Sequence, residues 1–437
     1  MEVDLMEMVS QQLPVLRDIA LKEGKLEDAI ESLLGLEKQA RLAADLQATT
    51  AICLGIVDIC KDAGNWRALA ENVSLICKRR GQLKEAIVKT IQKCMEFVPL
   101  LPSKEEKLEY IEALRVVTAG RIHVELESAR LTRILSTIRE EEGKVAEAAD
   151  ILQEIQVETY GSMDKKEKLD FLLEQVRLCM DKGDFIRAAI INRKISTKAF
   201  DGVEFQDEKI RYYNQVVRYR LHEKDYLGVS KCYHAILHTP SVEAVEEKWI
   251  EALKYCVLFL ALSSFGEESS DFIHRLLTTE KRLEELTSFR LLLKELSSSE
   301  LVDWMGTEGK VTDMMALLPL FKQGLESYVS VLKTRILEHN IRVFSECYKA
   351  LSLQRMAGLL GVDAQEAESA VSAMVIDGMI VAKIDRSGGQ ITFGKTKTAE
   401  SVLDEWSGDI DQLLKLVDST CYLINKENVM MSAVKAK

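Results

Sequence analysis

The sequence holds none of the short motifs that would mark an enzyme. Its 437 residues contain no GxxxxGKS/T phosphate loop, no GxGxxG following a strand, no GxSxG elbow and no HExxH. The histidines His123, His222, His234, His238, His274 and His339 include no HxH pair. The sequence therefore predicts no catalytic residues, no metal ligands and no cofactor. His234 and His238 fall one helical turn apart with Cys232 nearby, a spacing that suits zinc, but no further ligand is evident and they read as surface or packing histidines. His339 reads as a partly buried histidine at a core edge. The longest apolar run, Tyr255 to Leu262, is far short of the ~20 residues that span a bilayer, so it predicts a buried helix. Met1-Glu2-Val3-Asp4 is acidic and carries no signal-peptide pattern. The nine cysteines are scattered, odd in number and free of CxxC pairs, which predicts reduced, buried thiols in a cytoplasmic or nuclear protein. Asn72-Val73-Ser74 matches a glycosylation acceptor only by chance, and Lys78-Arg79-Arg80 reads as a solvated basic turn.

A net charge of −12 argues against a general affinity for polyanions, and 47% hydrophobic with 29% charged residues is the composition of a globular protein. Prolines number only five, so helical runs have few interruptions. Pro99 and Pro102 frame a bend, Ser103 with Glu106 restarts a helix through a capping box, Asp164 with Glu167 does so less ideally, and Pro240 starts another helix.

What recurs is a short phrase: glycine, a polar residue, an apolar residue, two variable positions, then usually alanine. It stands at Gly24-Lys25-Leu26 with Ala29, Gly81-Gln82-Leu83 with Ala86, Gly143-Lys144-Val145 with Ala148, and Gly183-Asp184-Phe185 with Ala188. Gly64-Asn65-Trp66 with Leu69 and Lys224-Asp225-Tyr226 with Val229 are weaker copies. The glycine suits a left-handed helix cap, and the small residue lets the next helix approach its neighbour. Starts at 24 and 64, and at 143, 183 and 224, lie about 40 residues apart, the period of paired-helix repeats. The expectation is a mostly α, TPR-like solenoid of helical hairpins over 1–300, a curved rod whose repeats touch only their neighbours. Ser297-Ser298-Ser299 with Gly306 and Gly309 predicts a joint, with connecting helices over 301–331.

From Leu332 the pattern changes. Leu332 to Tyr348 predicts one helix. Leu353, Met356, Ala357 and Leu360 predict a second, closed by Gly361. Asp363, with Glu366 as its capping-box partner, opens a third whose stripe is Ala367, Ala370, Val371, Met374 and Val375, ending at Gly378. Met379 to Asp385 and Gln390 to Phe393 then form a two-stranded wing with Ile380, Ala382, Ile384, Ile391 and Phe393 on one face. This order, over 332–396, is a winged helix. Its third helix is ringed by Asp363, Glu366, Glu368 and Asp377, and no lysine or arginine falls between Asp363 and Met379, so no nucleic-acid binding is expected. Over 397–437 a long helix carries Leu403, Trp406, Ile410, Leu413, Val417, Thr420 and Ile424 at alternating spacings of 3 and 4, a heptad seam. Such a seam either packs on its own repeats or joins a bundle with other chains, and the second is the expectation.

Helical repeats, a winged helix and a terminal helix, in that order, resemble the PCI-domain subunits of the proteasome lid, the signalosome and translation initiation factor three. Ser32 to Gln39 (SLLGLEKQ), Arg130-Leu131-Thr132, Leu152 to Met163 (LQEIQVETYGSM) and Glu338 to Arg342 (EHNIR) narrow the resemblance to the proteasome regulatory-particle lid over nearly the whole chain. It implies a non-catalytic scaffold in a hetero-oligomer with other PCI and MPN lid subunits, the proteasome base and the core particle, in cytoplasm and nucleus, supporting ATP-dependent degradation of ubiquitinated proteins. The subunit contacts implied are the hairpin residues Ile380, Ala382, Ile384, Ile391 and Phe393 and the helix residues Leu403, Trp406, Ile410, Leu413, Val417 and Ile424. A ubiquitin-removing metalloprotease of the lid would be another chain, since its HxH ligands are missing here.

Overall fold

A computed structural model describes residues 5–22, 26–322, 324–394 and 399–435. Two compact units divide them, one holding 1–223 with 239–241, the other 224–238 with 242–437. In the first unit every helix packs chiefly on those one or two places along the chain, from Leu5–Lys22 through Leu26–Leu42, Leu46–Asp62 and Trp66–Lys78 to Gln206–Glu223, as stacked helical hairpins require.

The recurrent phrase works through its backbone. Gly64, Gly143 and Gly183 have φ of 67, 80 and 87°, and the next residue donates its N–H to the carbonyl five residues back: Asn65 to Cys60, Lys144 to Arg139, Asp184 to Cys179. This is the Schellman closure of a helix. The donor residue then caps the following helix. Asn65 accepts from the Ala68 N–H and Asp184 from the Arg187 N–H. Five residues after each left-handed position sits a buried side chain, Leu69, Ala86, Ala148 or Ala188, where the new helix meets the stack. Two copies use no glycine. Ala44 (φ 56°) precedes the cap Asp45 and buried Thr49, and Lys224 (φ 61°) precedes the cap Asp225 and buried Val229. Gly24 and Lys25 lie outside the described residues.

Polar groups buried between hairpins find partners from neighbouring repeats. Gln175 Nε2 donates to the Leu152 and Ile155 carbonyls at 2.8 and 3.0 Å, closing the end of the helix Val145–Gln153 within the LQEIQVETYGSM segment. Arg79 is not the solvated cation expected of Lys78-Arg79-Arg80: it reaches the wholly buried Glu37 carboxylate, which Arg41 also holds at 3.2 Å. Across the helices Glu125–Glu141, Lys165–Lys182 and Gln206–Glu223 runs a ladder of ion pairs. Its rungs are Arg130–Glu167, Arg133–Asp170, Arg177–Glu140, Arg211–Glu174 and Arg218–Asp181, each joining residues 37 apart. This ladder corrects one expected cap, because Glu167 pairs with Arg130 at 2.7 Å and is not available to close a box with Asp164. Ser103 is the N-cap of Lys104–Thr118 but makes no side-chain cap bond.

In the second unit the run Tyr255 to Leu262 lies wholly buried in the helix Glu246–Leu262. Around it Tyr226, Tyr233, Tyr255, Phe259, Phe321 and Tyr328 form one aromatic cluster, with Phe259 and Phe321 centroids 4.9 Å apart. Gly306 and Gly309 do not form the expected joint, since both lie inside the helix Trp304–Ala316. The helix predicted to start at Leu332 begins instead at Leu325, behind Gly324 with φ 93°, and runs to Cys347. Its EHNIR segment clasps the preceding loop. His339 Nε2 meets the Glu300 carbonyl at 3.0 Å, Asn340 exchanges two 2.9 Å hydrogen bonds with the Val302 backbone, Ile341 enters the core, and Arg342 stacks 3.4 Å from the Phe265 ring centroid.

The winged helix follows as Leu353–Leu360, Ala364–Ile376 and a sheet. Strand β1 (Ala350–Ser352) was not anticipated; β2 (Val381–Asp385) and β3 (Gln390–Gly394) form the predicted wing. The order is β1-β3-β2, all antiparallel, pairing Leu351 with Ile391 and Ala382 with Phe393. Asp385 Oδ1 holds the turn by accepting from the Ser387 and Gly388 N–H groups, both at 3.1 Å. Asp363 caps Ala364–Ile376, but Glu366 turns away to Lys333 at 3.3 Å, so no reciprocal box forms.

Candidate assembly surfaces and a histidine cluster

The helix Ala399–Lys435 is 37 residues long, about 55 Å at 1.5 Å per residue. Its residues from Val402 to Met431 are all exposed. The seam residues Leu403, Trp406, Ile410, Leu413, Val417 and Ile424 are therefore bare; Trp406 and Leu413 are 64% and 62% exposed. Isolated apolar side chains on a surface are ordinary, but a continuous stripe over several turns is the mark of a surface that another chain covers.

The hairpin behaves differently. Ile380, Ile391 and Phe393 are buried, Ala382 and Ile384 pack against them, and all five point into the core shared with Ile341, Phe344, Met356, Val371 and Met374. Their expected role as side-chain contacts to neighbours is thus corrected: inward alternation uses them to attach the wing to its own helices. The opposite face presents Val381, Lys383, Asp385, Gln390 and Thr392, and β2, at the edge of the sheet, keeps one row of backbone groups without a strand partner. Beside it the helix Ala364–Ile376 offers acidic groups, Glu368 being paired to Arg386 at 2.7 Å, and presents no cation to a phosphate backbone.

Among the described residues one group of three potential metal ligands converges: His234, His238 and Glu280. The two Nε2 atoms are 3.1 Å apart, and Glu280 Oε1 lies 3.0 Å from His238 Nε2 and 3.9 Å from His234 Nε2. Burial, followed by His238 and Arg275, pushes the His234 pKa down to about 4, so its ring is neutral at pH 7. Cys232, the neighbour suggested by spacing, is buried and outside the group. Glu280 was invisible to local spacing because it arrives from the end of another helix, Glu267–Thr279. Burial also pushes the thiols of Cys53, Cys94 and Cys256 up to about 12 and those of Cys60 and Cys77 to about 11, which leaves them unreactive. No helix among the described residues is long and apolar enough to cross a membrane.

Three family models match the chain. Residues 28–245 match the family "PSMD12/CSN4, N-terminal", 317–395 match the PCI domain, and 400–432 match the "26S proteasome regulatory subunit RPN5 C-terminal domain". A Dictyostelium discoideum protein named 26S proteasome non-ATPase regulatory subunit 12 is 39% identical over 98% of this chain and 95% of its own length. Its Arabidopsis thaliana homolog A is 37% identical over 94% and 98%, and the Saccharomyces cerevisiae 26S proteasome regulatory subunit RPN5 is 36% identical over 98% and 96%. With relatives so similar along nearly its whole length, the chain belongs to the family of 26S proteasome non-ATPase regulatory subunit 12.

Proposed function

We infer that this chain is a non-catalytic scaffold subunit of the proteasome regulatory-particle lid, joining other PCI and MPN subunits, the base and the core particle in a hetero-oligomer of cytoplasm and nucleus. The observation that carries the reading is the bare heptad seam of Ala399–Lys435, placed directly after a winged helix whose outer strand is unpaired. The helix enters a bundle with terminal helices of neighbouring subunits, and the β2 edge and its polar face meet an adjacent winged helix by backbone pairing. Functionally the chain divides into repeats over 1–300, connecting helices over 301–331, the winged helix over 332–396 and the bundle helix over 397–437.

The test is a paired substitution, Ile410→Glu with Leu413→Glu. Both positions are exposed in the free chain, so its melt should shift by no more than about 0.5 kcal/mol. In a bundle each large apolar side chain buried is worth about 1.5–3 kcal/mol, so the double variant should fail to co-sediment with the assembled proteasome. Normal incorporation would refute the bundle. Mass spectrometry of the complex recovered with the wild-type chain separates a lid seat from one in the signalosome or initiation factor three.

A further inference from the structure

We propose that His234, His238 and Glu280 form a binding site for a divalent transition-metal ion, zinc being the best fit. Ligands placed about 2.0–2.1 Å from a tetrahedral zinc ion stand about 3.3 Å from one another. The three ligand atoms here are 3.0, 3.1 and 3.9 Å apart, nearly one face of that tetrahedron. Two imidazoles and a carboxylate are a donor set that zinc accepts readily and that calcium or magnesium, which seek oxygen cages, does not. His238 is half exposed, so the fourth corner opens to solvent and takes a water molecule.

Two further features support a cation. The Glu280 residue is only 9% exposed, and among the described residues no lysine or arginine pairs with it. A buried carboxylate that faces two imidazoles has no permanently charged partner there among the described residues, and a bound dication would supply one. Behind the first ligand sphere, Glu243 Oε1 stands 3.7 Å from His238 Nδ1, and Arg282 lies 3.7 Å from the same carboxylate oxygen. When the metal takes both Nε2 lone pairs, the ring proton of His238 moves to Nδ1, where Glu243 is placed to receive it and to orient the ring. In the metal-bound state each ring is neutral, keeps its single proton on Nδ1 and gives its Nε2 lone pair to the ion, so no proton is lost and charge balances. The site ties the end of Tyr226–Leu237 to the cap following Glu267–Thr279, which makes the metal a clasp between successive hairpins with no catalytic part.

The experiment uses the full chain without a histidine tag, stripped with a chelator, dialysed and titrated with zinc chloride by calorimetry and by thermal melting. About one zinc per chain should bind and raise the melting temperature, and cobalt in its place should give the absorption of a tetrahedral centre. His238→Ala and Glu280→Gln should each weaken zinc binding by at least about tenfold, while His274→Ala should bind as the wild type does. Circular dichroism verifies that each variant is folded; should Glu280→Gln unfold, His238→Ala at its half-exposed position decides alone. A wild-type melt indifferent to excess zinc, or zinc binding that His238→Ala leaves intact, would overturn the proposal.

Discussion

Replacing Asn340 by leucine removes a two-way bond and little else. The side chain is buried, its Oδ1 accepts from the Val302 N–H and its Nδ2 donates to the Val302 carbonyl, both at 2.9 Å. Leucine has the same number of side-chain heavy atoms and the same branch point with bulkier methyl groups, so no cavity opens. What remains is the Val302 N–H and the Val302 carbonyl, both unpaired, at about 1–3 kcal/mol for each group stranded away from water. The expected loss is about 2–6 kcal/mol, a large share of the roughly 5–15 kcal/mol that holds a domain together. If the 299–303 loop escapes by opening locally, global stability falls less and the loss surfaces as exchange, about 2 kcal/mol corresponding to about thirtyfold faster exchange at the Val302 amide. Urea denaturation followed by circular dichroism, together with hydrogen exchange of peptides spanning 299–304, measures both routes. Asn340→Asp sharpens the test. It keeps an acceptor for the Val302 N–H but sets a carboxylate oxygen against the Val302 carbonyl, so it should be no better than leucine at pH 7 and should recover as the carboxylate is protonated. A leucine variant whose denaturation midpoint and Val302 exchange both match wild type would refute the clasp.

Acid should weaken the same region. His339 donates from Nε2 to the Glu300 carbonyl and accepts at Nδ1 from Arg342, while burial and then Arg342 hold its pKa below the usual 6.5, partly offset by the Glu300 hydrogen bond and by Glu346. Because the folded value is the lower one, the unfolded chain binds the extra proton first, so the contribution is complete above about pH 6.5 and is lost as pH falls. Urea midpoints of wild type should drop between neutral and mildly acidic pH more than those of His339→Gln; parallel profiles would remove His339 as the cause. Thiol titration gives a separate check, since only Cys347 and Cys421 are exposed and seven cysteines are buried. About two thiols per folded chain should react quickly with an aromatic disulfide and the rest only on unfolding, whereas fast reaction of more would contradict the burial of the other seven.

The parts legible in the sequence are those whose physics is local. A left-handed glycine, a polar cap and a small buried residue stand within six positions, and a heptad seam repeats along one helix, so each could be read from spacing alone. Reading fails where partners come from afar. Glu106, Glu167 and Glu366 have the right spacing for capping boxes, yet Glu167 and Glu366 pair with Arg130 and Lys333 of other helices, because a charged partner across a helix interface outcompetes a local amide. Ala44 escapes notice as a turn residue because tertiary packing imposes a conformation its side chain does not favour, and Lys224 is legible only through the phrase around it. Strand β1 has three residues and no alternation to detect; pairing with β3 creates it. The apolar face of the wing was read correctly, but periodicity cannot say whether such a face meets its own domain or a neighbour. Glu280 shares no sequence neighbourhood with His234 and His238.

The five arginine–carboxylate rungs of the first unit all join residues 37 apart. Hairpins of similar length and similar apolar faces are nearly interchangeable as far as greasy surfaces are concerned, so a growing stack has little to stop one helix from sliding a turn along the next or from skipping a repeat. Charges at a fixed offset act as the teeth of a key. A slip by one turn would set Glu140 against Asp181 or Glu174, like against like, while Arg133 would still meet a carboxylate, so the fixed offset biases the stack towards its native register through the mismatched rungs.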